Sequence, residues 1–239
     1  MEINKIINGD CLETLKSIDD ETIDCVVTSP PYNLGGDFHI CNGGKRTTYG
    51  AYKSYKDNLP EEDYQKSQIK VLNELHRITK ESAFVFYVHK ERIKKNNIIS
   101  PIEWIRQTKW LICQTIVLDM RATANVDKRR FFPTHEYIYV LCKNADAKLH
   151  NDNKLTSVWR VKKVPRKISG HPATFDYEIP YQCILAATNK GDIVLDCYLG
   201  IGTTAVAAAL TGRNYIGIEI DNEYCKMAKI NLEKKGEKK

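Results

Sequence analysis

No apolar run in this 239-residue chain approaches the roughly 20 residues that a membrane-spanning helix needs. The N-terminus also lacks the basic and apolar regions of a secretory signal. A soluble, cytoplasmic protein without a membrane partner is the expectation. The eight cysteines (Cys11, Cys25, Cys41, Cys113, Cys142, Cys183, Cys197 and Cys225) include no C-x-x-C pair. Zinc ribbons and fingers need closely paired ligands, so no metal site is expected. None of these thiols stands in a recognisable nucleophile context, and buried, reduced cysteines of a cytosolic protein are the reading. Internal repeats and low-complexity tracts are missing as well. One large α/β domain over residues 1–239 is therefore expected, with room for a modest insertion.

Neither sign of charge dominates. The net charge is +6, which only weakly suggests a polyanionic partner. Its distribution is more informative. Between Lys143 and Lys167 stand eight basic residues, among them Lys154, Arg160, Lys162, Lys163, Arg166 and Lys167, against Asp146 and Asp152. This excess marks the segment as a candidate grip on nucleic acid.

The pattern that is present alternates short apolar runs with helical stretches, as a parallel α/β sheet should. Strands are expected at Ile3–Ile7, Ile23–Val27, Ala83–Val88, Ile112–Leu118, Glu136–Cys142, Ile193–Asp196 and Tyr215–Ile220. Helices are expected at Leu12–Ile18, from Pro60 through Ile78, after Pro180, at Thr203–Leu210 and at Asn222–Lys235. Residues 33–58 are polar and glycine-rich with interleaved tyrosines, and read as a long loop, functional or disordered, that is a candidate contact for nucleic acid.

Two motifs carry chemistry. In the first, Asp196-Cys197-Tyr198-Leu199-Gly200-Ile201-Gly202-Thr203-Thr204 runs from strand through glycine turn to helix. Glycines let the backbone approach a ligand closely. Seventeen residues beyond Gly202, at the end of the next strand, Glu219 can accept both ribose hydroxyls of an adenosine cofactor. A nicotinamide-dependent oxidoreductase is the rival. Its fingerprint requires a third glycine where this chain has Ala205, and Asp196 would repel a pyrophosphate. A nucleoside-sulfonium cofactor has no phosphate, and its amino group suits a carboxylate.

The second motif, Ser29-Pro30-Pro31-Tyr32, closes a strand. Two prolines cannot continue a central ladder, so the chain leaves the sheet there, and the rigid backbone can project the Pro30 carbonyl. An exocyclic amine of cytosine or adenine has its lone pair delocalised into the ring. Hydrogen bonds accepted by Ser29 and Pro30 would make that nitrogen more tetrahedral and nucleophilic. Tyr32 would offer a stacking face to an extruded base.

Together, and in this order, the motifs resemble those of the β-class DNA amino-methyltransferases, in which (D/N/S)-P-P-(Y/F) precedes F-x-G-x-G. That order is a circular permutation of the usual methyltransferase arrangement. Gly9-Asp10, with Cys11 beside it, matches the segment whose acid contacts the cofactor adenine. Phe132–Glu136 matches the segment after the central strands, and His171-Pro172 the wrap around the methionine moiety. His135 and His171 thus fit family positions, and neither is read as a general base. The resemblance implies a Rossmann-like sheet with helices on both faces and S-adenosyl-L-methionine as cofactor. It also implies double-stranded DNA as substrate, often a homodimer, and a cognate restriction endonuclease as a partner. Residues 143–170 become the target-recognition insertion, shorter than is usual. The family's Asp-Pro-Phe is here Asp196-Cys197-Tyr198. Ser29 leans toward cytosine N4, while Asn33-Leu34 is like some adenine N6 enzymes, and the chemistry leaves both open.

Overall fold

The chain runs β1 (Lys5–Asn8), α1 (Cys11–Leu15), β2 (Ile23–Thr28), β3 (Phe38–Asn42), β4 (Lys45–Tyr49), α2 (Glu61–Ile78) and β5 (Thr79–His89). It continues through β6 (Arg92–Lys94), β7 (Asn97–Ile99), α3 (Ile102–Ile105), β8 (Leu111–Asp119), β9 (His135–Cys142) and β10 (Val158–Arg160). It ends with α4 (Glu178–Ala187), β11 (Ile193–Asp196), α5 (Thr203–Leu210), β12 (Asn214–Glu219) and α6 (Asn222–Gly236). The computed structural model describes residues 2–35, 38–42, 45–49, 55, 57–121, 130–150, 152, 154–161 and 176–236.

Successive side chains of a strand point to opposite faces. In β5, Val85 and Tyr87 join a core with Leu15, Leu72, Leu75 and Trp104 of α1, α2 and α3. Their neighbours Phe84, Phe86 and Val88 point the other way, to Cys183 and Ile184 of α4 and Ala207 and Ala208 of α5. Burial on both faces explains why these strands read as unbroken apolar runs. Helix α2 begins behind Pro60 with Glu61, Glu62 and Asp63 in its first turn and ends with His76 and Arg77, matching the helix dipole at both ends.

Eight strands form one sheet in the order β1-β12-β11-β2-β5-β9-β8-β10. All neighbouring pairs are parallel except those that β9 makes with β5 and β8. From β11 the chain crosses outward to β12, and from β2 it crosses the opposite way to β5. The gap between β11 and β2 is therefore a topological switch point, where open α/β sheets bind ligands beyond their carboxyl ends. Because β9 is antiparallel, its first residues lie at that same edge.

Several expectations shift by a few residues, and some elements are new. The first helix starts at Cys11 and ends at Leu15, earlier than the stretch to Ile18 that was read from the pattern. Helix α4 begins at Glu178, with Pro180 inside its first turn, where a missing N–H costs nothing. Residues 33–58 are not simply a loop: β3 and β4 pair antiparallel within them, Asn42 opposite Lys45. A second hairpin pairs β6 with β7.

Candidate active site

The Ser29–Tyr32 tetrapeptide leaves the carboxyl end of β2 and is held from several sides. Tyr64 of α2 lies 2.8 Å from the Pro31 carbonyl through its hydroxyl, and also 2.8 Å from His89 Nε2. Burial holds the His89 imidazole down to about 3, so it is neutral. Its Nδ1 donates to the Lys90 carbonyl at 2.7 Å, leaving Nε2 and the Pro31 carbonyl to share the Tyr64 proton. The Pro30 carbonyl, by contrast, accepts no hydrogen bond from any described residue. Beyond the tetrapeptide, Asp57 receives the Asn33 and Leu34 amides at 2.6 and 3.2 Å, which fixes where the loop departs.

Tyr32 packs its ring on His89 with centroids 4.5 Å apart, and Lys90 Nζ stands 5.6 Å over the same ring. Its hydroxyl lies 3.0 Å from Ser29 Oγ and donates to Glu136 Oε2 at 3.1 Å. Burial pushes the Lys90 ammonium below its ordinary value, while Glu136 and Asp57 favour its charged form.

At the other motif, Asp196 is only 4% exposed and accepts three hydrogen bonds. Thr28 Oγ1 donates to Oδ1 at 2.8 Å, Thr204 Oγ1 to Oδ2 at 2.7 Å, and the Tyr198 amide to Oδ1 at 3.1 Å. The Thr28 bond joins the two motifs directly. Thr28, which sequence reasoning passed over, is the residue that brings them together. Cys197 occupies the family's proline position as a buried thiol, 3.5 Å from Thr28 Oγ1. Cys11, at the start of α1, is buried against Cys197 and Tyr198.

Glu219 ends β12. The Gly200 amide donates to its Oε2 and the Asp221 amide to its Oε1, both at 2.8 Å. A carboxylate offers about four lone-pair positions, so acceptor capacity remains for two hydroxyls. Burial raises the Glu219 carboxyl above its ordinary value. The turn before α5 has Gly202 at φ +87°, where a Cβ would stand 2.8 Å from Ala228 Cβ of α6. Thr203 then opens α5. Asp10 caps α1 by accepting the Glu13 amide at 3.0 Å, and the Gly9 amide donates to the Glu219 carbonyl at 3.0 Å. Asp10, Cys11, Asp196, Tyr198, Gly200, Gly202, Thr203, Thr204 and Glu219 thus gather around the carboxyl ends of β1, β11 and β12. An acid with unfilled acceptor positions beside a close-packed glycine turn fits an adenosine bearing free ribose hydroxyls.

The basic residues are less united. Lys143 is not available to DNA: its side chain is 5% exposed and donates to the Thr79 carbonyl. Arg160 closes β10 opposite Asp119, at the same edge as the tetrapeptide, and is exposed, as is Lys154. Lys162, Lys163, Arg166 and Lys167 lie outside the described residues, as does His171. His135 is exposed and bonds Tyr137 through Nε2 at 2.9 Å. Among the described residues no group of three or more His, Cys, Asp or Glu could hold a metal ion, and no helix is long and apolar enough to cross a membrane.

The chain is 28% identical to the orphan methyltransferase M.BamHII of Bacillus amyloliquefaciens, over 91% of each protein. It is 27% identical to the DNA adenine methyltransferase YhdJ of Escherichia coli K12, covering 97% of this chain and 83% of the relative. In three dimensions it superposes on the cytosine-N4-specific PvuII DNA methyltransferase with a TM-score of 0.77 at 19% identity, covering 99% of this chain and 91% of that one. The model of the N6_N4_Mtase family, described as DNA methylase, matches residues 23–230, which include both motifs. The chain belongs to this DNA methylase family and is an S-adenosylmethionine-dependent DNA amino-methyltransferase.

Proposed function

We propose that the chain methylates the N4 amino group of a cytosine flipped out of double-stranded DNA. The observation that carries this reading is the pair of acceptors at the end of β2. The Ser29 hydroxyl and the Pro30 carbonyl, which no described residue engages, follow directly on Thr28, whose bond to Asp196 ties them to the cofactor turn. An amine donating one N–H to each acceptor has its nitrogen drawn toward tetrahedral geometry, and its lone pair withdrawn from the ring. S-adenosylmethionine, when bound, supplies a methyl group activated by its sulfonium. Glu219 would hold the ribose hydroxyls and Asp10 the adenine side. Asp196 would keep the turn shaped and offer its carboxylate toward the amino group. Tyr32, its plane set by His89, would stack on the base. No strong base is needed, because the methylated amine is acidic and loses its proton readily.

Ser29 in place of an acid supports cytosine, as does the name of the PvuII enzyme. Adenine N6 is the second reading, favoured by the relative named an adenine methyltransferase, and it would use the same geometry. Lys154 and Arg160, with Lys162, Lys163, Arg166 and Lys167 beyond them, would meet the phosphates. Phe131, fully exposed, and Phe132, 47% exposed, precede β9 and would add an apolar contact to bases. A homodimer and a cognate endonuclease belong to the same proposal. Nucleoside analysis of DNA incubated with protein and labelled cofactor decides the base: N4-methylcytosine is expected, N6-methyladenine would select the second reading, and neither would end both.

A further inference from the structure

A tyrosine hydroxyl has one proton to give. Tyr32 gives it to Glu136 Oε2 at 3.1 Å, since a carboxylate can only accept. The 3.0 Å contact between the same hydroxyl oxygen and Ser29 Oγ must then be donated by Ser29. Counting protons therefore orients the chain as Ser29 to Tyr32 to Glu136. The Ser29 proton points along this chain, and the lone pairs of Oγ face elsewhere.

The orientation matters for an amine methyltransferase. A serine hydroxyl rotates freely and can donate as well as accept. If it donated to the target nitrogen, it would occupy the lone pair that must attack the methyl group. An anchored proton removes that wrong alignment before the base arrives, which is preorganisation in the sense that no reorientation is needed during reaction. Glu136 can reach Tyr32 because β9 is antiparallel to its neighbours, which sets Glu136 opposite Leu118 and at the carboxyl edge of the sheet.

We propose that Glu136 is a positioning residue which, through the Tyr32 hydroxyl, holds the Ser29 proton away from the target amine so that Ser29 Oγ acts only as an acceptor. The role rests on the methyltransferase reading above. It makes the tyrosine at position 32 more than a stacking ring.

The test is single-turnover methyl transfer with saturating cofactor and DNA, with thermal melting of each variant alongside. Tyr32→Phe keeps the ring and should slow transfer about tenfold with unchanged affinity for DNA and for S-adenosylhomocysteine. Glu136→Ala should slow it as much, and the double variant should be no slower than either single one. Glu136→Gln retains an acceptor oxygen and should recover most of the loss. A fully active Tyr32→Phe, effects that multiply in the double variant, or a glutamine variant as slow as the alanine one would each overturn the role. In those outcomes wild-type protein still methylates, so the methyltransferase reading survives. Wild-type protein yielding no methylated base would overturn that reading and the positioning role with it.

Discussion

Asp196 combines near-complete burial with three accepted hydrogen bonds, and the two pull its chemistry in opposite directions. Burial wins: the carboxyl is pushed up from 3.8 to about 6, although Thr204, Thr28 and the Tyr198 amide favour the charged form. Folding thus makes Asp196 easier to protonate than it is in the unfolded chain. Its stabilising contribution is fully present below the unfolded carboxylate range and is lost as pH rises through about 6. That gap corresponds to about 3 kcal/mol. The buried neutral His89 titrates in the opposite sense over the same range, so the Asp196 contribution is read by difference: the stability of ligand-free wild type relative to Asp196→Asn should fall between pH 5 and pH 7.5, and an unchanged difference would refute the assignment. Glu219 gives a second residue-scale expectation. Replacing it with alanine would remove the charge-assisted bonds proposed to the ribose, and calorimetry with S-adenosylhomocysteine should show a loss of about 1.5–3 kcal/mol.

Among the elements, α5 and α6 meet most tightly where Gly202 faces Ala228. Gly202→Ala would put a Cβ 2.8 Å from the Ala228 side chain and would also hold a non-glycine residue at φ +87°. Left-handed strain alone costs about 1–3 kcal/mol, so denaturant unfolding should shift by at least that, with cofactor affinity reduced as the turn opens. Central strands were legible in the sequence because burial on both faces leaves long apolar runs, as in β2 and β5. Their ends were not, since Thr79–Ser82 continues β5 with polar residues that no periodicity marks. The β6–β7 hairpin turns on Lys95-Asn96, both at positive φ as a two-residue type I′ turn demands, yet only the asparagine hints at it. The β3–β4 hairpin had a signal, Gly43-Gly44 between residues of strand propensity, which the surrounding glycines obscured. Strand β10 has three residues at the sheet edge, too few to show a period.

At the scale of the whole molecule, sheet order carries six candidate groups to one edge. Ser29 follows β2, Lys90 follows β5, Glu136 enters with β9, Arg160 closes β10, and Asp196 and Glu219 close β11 and β12. Local motifs revealed the glycine turn and the tetrapeptide, because each is a short segment at a strand end. Thr28 with Asp196, and Tyr32 with Glu136, stand 168 and 104 residues apart and meet only through the topology, so neither pair was readable beforehand. The shared edge also gives the charge distribution a measurable signature. If Arg160 meets a phosphate, Arg160→Ala should weaken DNA binding at every sequence and flatten the dependence of log K on log salt by about one unit; an unchanged slope would place the duplex elsewhere.

The strand order has a consequence for biosynthesis. β11 and β12 lie between β1 and β2 in the sheet, although both follow β10 in the chain. A nascent polypeptide that has made β5 already carries the Ser29–Tyr32 tetrapeptide, but β1 and β2 must wait for two later strands to slot between them. At about 5–20 residues per second, the stretch from His89 to Asp196 takes roughly 5 to 20 s to emerge. Throughout that interval the future centre of the sheet is an open edge, the kind of surface on which unfinished chains associate and chaperones act. Asp196 and Glu219, the acids proposed to face the methyl donor, both follow the tetrapeptide in the chain, so that proposed pairing can form only after β11 and β12 have emerged.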